Sequence, residues 1–547
     1  MIDRVVEVAM SKNIVICSDG TGNSAIKGRG TNVFKLFEAI DLNGHRTRPE
    51  LTPQVALYDD GVGTENFKPL KVFAGATGYG LSRNVKQLYK ELVRIYDPGD
   101  RIFLFGFSRG AFTVRTLVGL ITACGILDVQ KLQTAADLDA AVNDTYRVYR
   151  KSYRTALAKM VLGEPDTSLI PMFRSEHCLT CEVPIAFVGV WDTVDAVGMP
   201  FHLSDFINLA IYRFKFRDRK LSTLVKHACH ALAIDDERHS FHPILWDERE
   251  EQTGRIEQVW FAGAHSNVGG GYPKQGMSLV ALEWMMRKAE RTGRMGEGLR
   301  LLGTDRALYY DHANVDDKLY DPRAGLGIFY RWKVRDIAEI CRKHHAKPAV
   351  HLSVLERIAH GTDDYAPGNL PSDADVVITP TDTVGELTSA QARAKGVEAV
   401  LHAAHGGEES LLPRVRSEIW IGLTSYYLYA SMCLFLLLAA STPDGMYSLS
   451  EPWLVLKNMG LLLYNIVTLR FSEVWACLKA LAASPEKVGI IVGGFLLAYG
   501  LMLYADSRMS IAFSQFWHRH HAQLRDALKK ARKVAQSLTT GKDAKVA

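Results

Sequence analysis

The pentapeptide Gly106-Phe107-Ser108-Arg109-Gly110 places a serine between two glycines at the spacing G-x-S-x-G. It lies inside RIFLFGFSRGAFTVR, residues 101–115, an apolar run that breaks and resumes as an amphipathic pattern. This predicts a buried strand, a tight turn that pushes the serine out above the sheet edge, and a helix. A serine hydroxyl is a poor nucleophile at neutral pH and needs an oriented base. In a strand–turn–helix site of this kind the partners follow along the chain as Asp or Glu, then His, each at the C-terminal end of a strand. Downstream, IAFVGVWD ends at Asp192 and QVWFAGAH ends at His265. The expected triad is therefore Ser108, Asp192 and His265, with Asp195 as a rival for the acid. Charge developing on a substrate carbonyl needs two donors. One is expected from the Arg109 backbone N–H, the other from Gly20 or Thr21 in the loop SDGTGN.

These residues need a scaffold, and the pattern supplies one. NIVICSDGTGN reads as a buried strand ending in a Gly-rich loop, and TNVFKLFEAI as the next helix, capped by Thr31 or Asn32. QVALYDDGVGT reads as a strand, LSRNVKQLYKELVRIYD as a helix and DPGD as the turn into the Ser108 strand. A helical stretch over about 132–162 precedes PIAFVGVWDTV; LSTLVKHACHALAIDDE reads as a helix, IEQVWFAGAHSNVGGGY as a strand and SLVALEWMMRKAER as a helix. Such alternation predicts an α/β fold with a mostly parallel sheet flanked by helices. Residues from about 300 to 415 are less regular and read as additions around that sheet. No internal repeat is visible.

Past residue 416 the character changes. Residues 419–443 carry no charge, and IWIGLTSYYLYASMCLFLLLAAS is long enough to span a bilayer, with Trp and Tyr where an interface would fall. A second uncharged run, 488–505, has small residues in GIIVGGFLLAYG that suit close helix packing. Between them, 453–469 carries Lys457 and reads as an interfacial helix.

The formal net charge is +5, yet residues 508–547 hold nine Lys/Arg against two Asp. The basic character belongs to the tail, which argues against a nucleic-acid-binding body. Eight cysteines are scattered, which fits a reducing compartment; Cys178 and Cys181 form a lone C-x-x-C, read as two unpaired thiols. No metal site or cofactor is expected, and no G-x-x-x-x-G-K-[ST] supports nucleotide chemistry. The N-terminus reads as lacking a secretory signal.

DGT, GFSRGAF, GVWDTV, ALAIDDER, VWFAGAHSNVGGGY and YAPGNLP, in that order over roughly residues 11–371, resemble one family. It is a set of α/β-hydrolase-like proteins, formerly catalogued as a domain of unknown function, that includes phospholipase effectors of type VI secretion. The resemblance implies a Ser–Asp–His esterase and carries those roles onto Ser108, Asp192 and His265. Two positions depart from the family's usual pattern. Asn267 replaces an aspartate that would put a negative charge near the base, and Gly22 replaces a tryptophan that would wall the first loop.

The expected organisation is an α/β-hydrolase-like core over 11–290, additions over 291–415, a membrane region over 416–507 with spans at about 419–441 and 488–505, and a basic cytoplasmic tail over 508–547. Arg414 and Arg416 before the first span, and the basic tail after the second, predict both flanks in the cytoplasm, at an inner membrane. The tail, 509–538, is expected to lie along the inner leaflet. The expected function is a membrane-anchored serine hydrolase acting on acyl esters of phospholipids, with membrane lipids as its partners. The alternatives are a non-catalytic membrane scaffold of the same fold and a lipase toxin delivered into other cells.

Overall fold

The computed structural model describes residues 11–20, 30–60, 79–152, 168–194, 220–251, 253–293, 297–379, 393–441, 457–462, 465 and 470–540. Its centre is an eight-stranded sheet in which every neighbouring pair runs parallel. In chain order the elements are β1 (Asn13–Ser18), α1 (Asn32–Glu38), β2 (Gln54–Asp59), α2 (Tyr79–Ile95), β3 (Arg101–Phe107), α3 (Arg109–Cys124), α4 (Ala135–Lys151) and α5 (Leu169–His177). There follow β4 (Ile185–Trp191), β5 (Val225–Ala233), β6 (Ile256–Phe261), α6 (His265–Gly269), α7 (Gly276–Glu290), α8 (Gly303–His312), α9 (Ile337–Lys343), β7 (Ala349–His351), α10 (Leu352–His360) and β8 (Asp375–Val377). The last are α11 (Lys395–His405), α12 (Arg416–Ser441), α13 (Phe471–Ala482) and α14 (Pro485–Thr540). The strand order is β2-β1-β3-β4-β5-β6-β7-β8.

The two-residue period of the strands divides the core. Ile14, Ile16, Ile102, Leu104, Val188 and Val190 point to one face, under α2, α3 and α4. Val15, Cys17, Phe103, Phe105, Phe187 and Trp191 point to the other, under α1 and α7. With both faces covered, the central strands have no solvent side, which is why they read as continuous apolar runs. Thr31 caps α1 by accepting the Phe34 N–H at 3.3 Å.

Three expectations change. The segment read as a helix at LSTLVKHACHALAIDDE holds strand β5, paired on both sides with β4 and β6. Its alanines favour a helix locally, but a slot between two buried strands overrides propensity. The region 291–415 does more than surround the sheet, because β7 and β8 extend it by two short strands. Over residues 508–540 the basic tail docks one face on the domain rather than lying free of it. It continues α14 without a break, and Phe516, Trp517, Leu524, Ala527, Leu528 and Ala531 bury in one cluster with Leu232, Trp260, Leu355 and Leu401. That apolar stripe finds a protein surface between α10 and α11, and its cations are partly engaged there. Arg525 donates to the Ala359 carbonyl at 2.7 Å, and Arg532 pairs with Glu356 at 2.8 Å.

α12 and the first part of α14 are long and apolar enough to cross a membrane, and only 17% of the apolar stretch of each is buried. A core helix of that composition would be covered. Instead Ile490, Leu496, Leu497, Leu503 and Tyr504 stand exposed along α14. The two helices pack closely where small residues allow it. A Cβ on Gly494 would lie 2.1 Å from Met432 Sδ, and Ser425 Oγ donates to the Ala498 carbonyl at 2.7 Å. The expected interfacial helix over 453–469 falls mostly outside the described residues.

Trp517 is the test of the docked tail. It is 2% exposed, and its Nε1–H reaches the Pro367 carbonyl at 2.9 Å. Trp517→Ala in the full chain should cost about 3–5 kcal/mol of stability, measured by denaturation in detergent. A leaflet-bound tail would leave the stability unchanged.

Candidate active site

The Ser108 turn is a steric construction. Ser108 has φ 59° and ψ −121°, a conformation that L-residues rarely adopt. A Cβ on Gly106 would sit 2.7 Å from the Ala111 backbone, and one on Gly110 would sit 2.1 Å from the Ser18 carbonyl oxygen. Both glycines are required because α3 springs from β3 directly against the end of β1. The turn is fastened by the Ser108 N–H, which donates to the Trp191 carbonyl at 3.1 Å. Ser108 is thereby tied to the residue before Asp192.

Asp192 follows β4 with its own positive φ of 35° and no exposed surface. Its Oδ2 accepts from His265 Nδ1 at 2.6 Å, and its Oδ1 accepts the Ala233 N–H at 3.0 Å. The Arg335 guanidinium, fully buried, spans the same carboxylate at 3.0 Å to each oxygen. Arg335 also donates to the carbonyls of Ala233 and Phe241. Burial alone would raise the Asp192 pKa, but Arg335 and His265 outweigh it and hold the carboxyl well below the usual carboxylate range.

His265 opens α6, four residues past β6. It is 4% exposed, its backbone N–H donates to Asp236 Oδ2 at 3.2 Å, and its Nε2 has no hydrogen-bond partner among the described residues. With Nδ1 turned to a carboxylate, Nε2 is the nitrogen left to accept a proton. The ring packs at 4.6 Å from Phe107, the neighbour of Ser108, and edge-on at 5.1 Å from Phe241. Asp236 in turn takes both arms of Arg238, at 2.6 and 3.0 Å. Thus Ser108, Asp192 and His265 are brought to one end of the sheet, linked through Trp191 and Phe107. His230 supports the same corner: burial pushes its pKa down to about 3, and its neutral Nε2 accepts the Thr193 N–H at 3.1 Å. Asp195 lies outside the described residues.

For the oxyanion donors, the Arg109 N–H stands in the first turn of α3, where no intrahelical acceptor exists. The Gly20 N–H is taken by its neighbour, Asp19 Oδ1, at 2.6 Å, and Thr21 and Gly22 lie outside the described residues. Asp19 itself is held by Tyr58 at 2.8 Å and Thr31 at 2.5 Å. Asn267, where an aspartate is usual, uses both ends of its amide. Oδ1 accepts the N–H groups of Ala264 and Tyr320, and Nδ2 donates to the Lys318 carbonyl at 3.0 Å. An aspartate could not make the last bond.

Residues 12–288 match the family model described as the catalytic domain of Tle1-like phospholipase effectors of type VI secretion. The chain belongs to this family. A curated relative, the uncharacterized protein YEL023C of Saccharomyces cerevisiae, is 27% identical over 249 residues, covering 43% of this chain and 33% of its own length. The chain therefore spans about a third of that relative. A solved structure of the Tle1 effector bound to the VgrG spike is 16% identical with a TM-score of 0.28, covering 48% of this chain and 52% of that one.

Arg335 is the site residue that the sequence does not announce. It comes from a stretch with no periodic pattern, and nothing distinguishes it among 65 Lys and Arg until the fold buries it on Asp192. The signal that did exist was its target, since a buried carboxylate needs a cation or several donors.

Arg335→Met should destabilise the protein by about 3–5 kcal/mol, because it strands a buried carboxylate. The pH dependence carries the sign. In the wild type the folded pKa of Asp192 is depressed, so its contribution is full above the unfolded value of about 4 and fades only as pH falls further. Without Arg335 burial dominates, the folded pKa rises, and the variant should lose more stability relative to wild type at pH 8 than at pH 5. Melting curves across pH measure this, and an equal loss at every pH would contradict the assignment.

Proposed function

We propose that this protein is a serine esterase of the phospholipase class, anchored in a membrane, with Ser108 as nucleophile, His265 as general base and acid, and Asp192 as the residue that orients His265. The observation that carries the reading is the pairing of a strained Ser108 turn with a buried His265 whose Nδ1 is fixed by Asp192 and whose Nε2 is unpartnered. Ser108 Oγ attacks the acyl carbonyl as His265 Nε2 takes its proton; the proton then passes to the leaving alcohol, and water releases the acyl-enzyme by the same route. The Arg109 N–H supplies one oxyanion donor. The second comes from the loop after β1, either from Gly20 by exchanging Asp19 for the ligand or from Thr21. Membership of a phospholipase effector family supports the substrate class.

The membrane reading rests on two helices with exposed apolar faces that both join the hydrolase domain. α12 leaves the domain, and α14 returns to it with its C-terminal half docked. A two-span hairpin with both flanks on the domain's side follows, and the Lys/Arg of those flanks favour the cytoplasmic face of an inner membrane. Delivery into another cell is the second reading, and the effector character of the family favours it.

Ser108→Ala should reduce phospholipid acyl-ester hydrolysis by at least about 10³-fold, with His265→Ala comparably damaging because the residues act as a unit. Asp192→Asn should cost about 10⁴ in rate. Released fatty acid from mixed-lipid vesicles is the readout, and wild-type turnover by Ser108→Ala would refute the triad.

A further inference from the structure

A cavity of about 280 Å³ lies where α12 and α14 meet residues 321–332 of the domain. That is near the small end of the ~300–1,000 Å³ typical of ligand pockets. Tyr426 and Tyr429 of α12, Phe495, Tyr499 and Met502 of α14, and Trp332 of the domain make it largely apolar. Small residues let its walls approach: a Cβ on Gly422 would already lie 2.8 Å from the Trp332 ring, and Ala498 also lines the cavity. One end is charged. Arg323 bridges Asp506 of α14 at 3.0 Å and Glu237 at 3.2 Å.

The other surroundings decide what the cavity is for. Tyr499, which lines it, is 56% exposed on the face of α14 that carries Leu496 and Leu503, so the cavity borders the surface assigned to bilayer hydrocarbon. On the domain side Tyr330 forms its wall. Tyr330 packs edge-on against Phe241 at 5.4 Å, and Phe241 packs edge-on against His265 at 5.1 Å. The Arg238 guanidinium clamps both rings, 3.5 Å over Phe241 and 5.7 Å from Tyr330. The Arg109 guanidinium, next to Ser108, is also within electrostatic reach of Tyr330. Two aromatic rings thus separate an apolar chamber open toward lipid from the histidine of the candidate triad. The chamber is largely apolar with a few charged residues in its lining, which matches an acyl chain leading to a polar ester.

We propose that this cavity takes the acyl chain of a membrane lipid ester directly from the bilayer, with Tyr330 and Phe241 as the partition through which the ester reaches Ser108. Met502, Tyr499 and Tyr429 then set which chain lengths are accepted. The proposal rests on the serine-esterase reading for what happens after the chain is seated, but not for the seating itself.

The test uses the full chain in nanodiscs of phosphatidylcholine containing a fraction of phosphatidylcholine with a mid-chain diazirine. Photolysis and peptide mapping should find adducts on Trp332 or Tyr330, which the domain shields, as well as on outward-facing Leu496 and Leu497. The pattern should persist in Ser108→Ala, so loss of hydrolysis and loss of chain binding are read separately. Adducts confined to Leu496, Leu497 and other outward residues would overturn the proposal. As a second arm, Met502→Trp fills the chamber and should lower the ratio of kcat/KM for long-chain over short-chain esters by at least about tenfold. An unchanged ratio would equally overturn it.

Discussion

The Asp192 carboxylate has no exposed surface, and a charge in that position must be matched on every side. The partners that match it come from widely separated parts of the chain. Ala233 ends β5, His265 opens α6 past β6, and Arg335 arrives from the segment before α9. Meeting at one carboxylate, they fix how the strand ends sit relative to each other, and they leave His265 a single free nitrogen. Ser108 joins this arrangement through the Trp191 carbonyl, one residue before the carboxylate. The strained turn at Ser108 is thus braced by the sheet that the charge pairing organises.

The legible parts of this site were those with a local steric or chemical signature. Gly106 and Gly110 are demanded by backbone contacts of the turn, so the turn leaves its mark in consecutive residues. Asp192 and His265 could be ordered because buried strands announce themselves as apolar runs and the two residues mark where those runs stop. Arg335 has no local signature, since its burial is decided by a carboxylate 143 positions away. β5 carries a helical signature because Ala228, Ala231 and Ala233 are good helix formers, and only the neighbouring strands make them a sheet's interior. β7 and β8, three residues each, are too short for any period to register.

The two long apolar helices show a different limit. Uncharged length identifies a segment able to span, yet it says nothing about what a helix does after it leaves the apolar zone. α14 has 56 residues, about 84 Å at 1.5 Å per residue, so one rigid element carries both the apolar stretch and the docked stripe of Phe516, Trp517 and Leu524. The Arg323–Asp506 pair sits at the change of character, linking α14 to Glu237 in the same acidic run as Asp235 and Asp236. The apolar helix pair and the candidate site are therefore parts of one packed body, through contacts that involve the residues around His265.

The central claim is that Ser108 is a nucleophile activated by His265. Incubation of the full chain with a fluorophosphonate, followed by peptide mapping of the adduct, tests it most directly. The account predicts covalent modification at Ser108 approaching one per chain, and its loss when His265 is replaced by alanine. An unmodified Ser108, or an adduct formed equally well without His265, would contradict it.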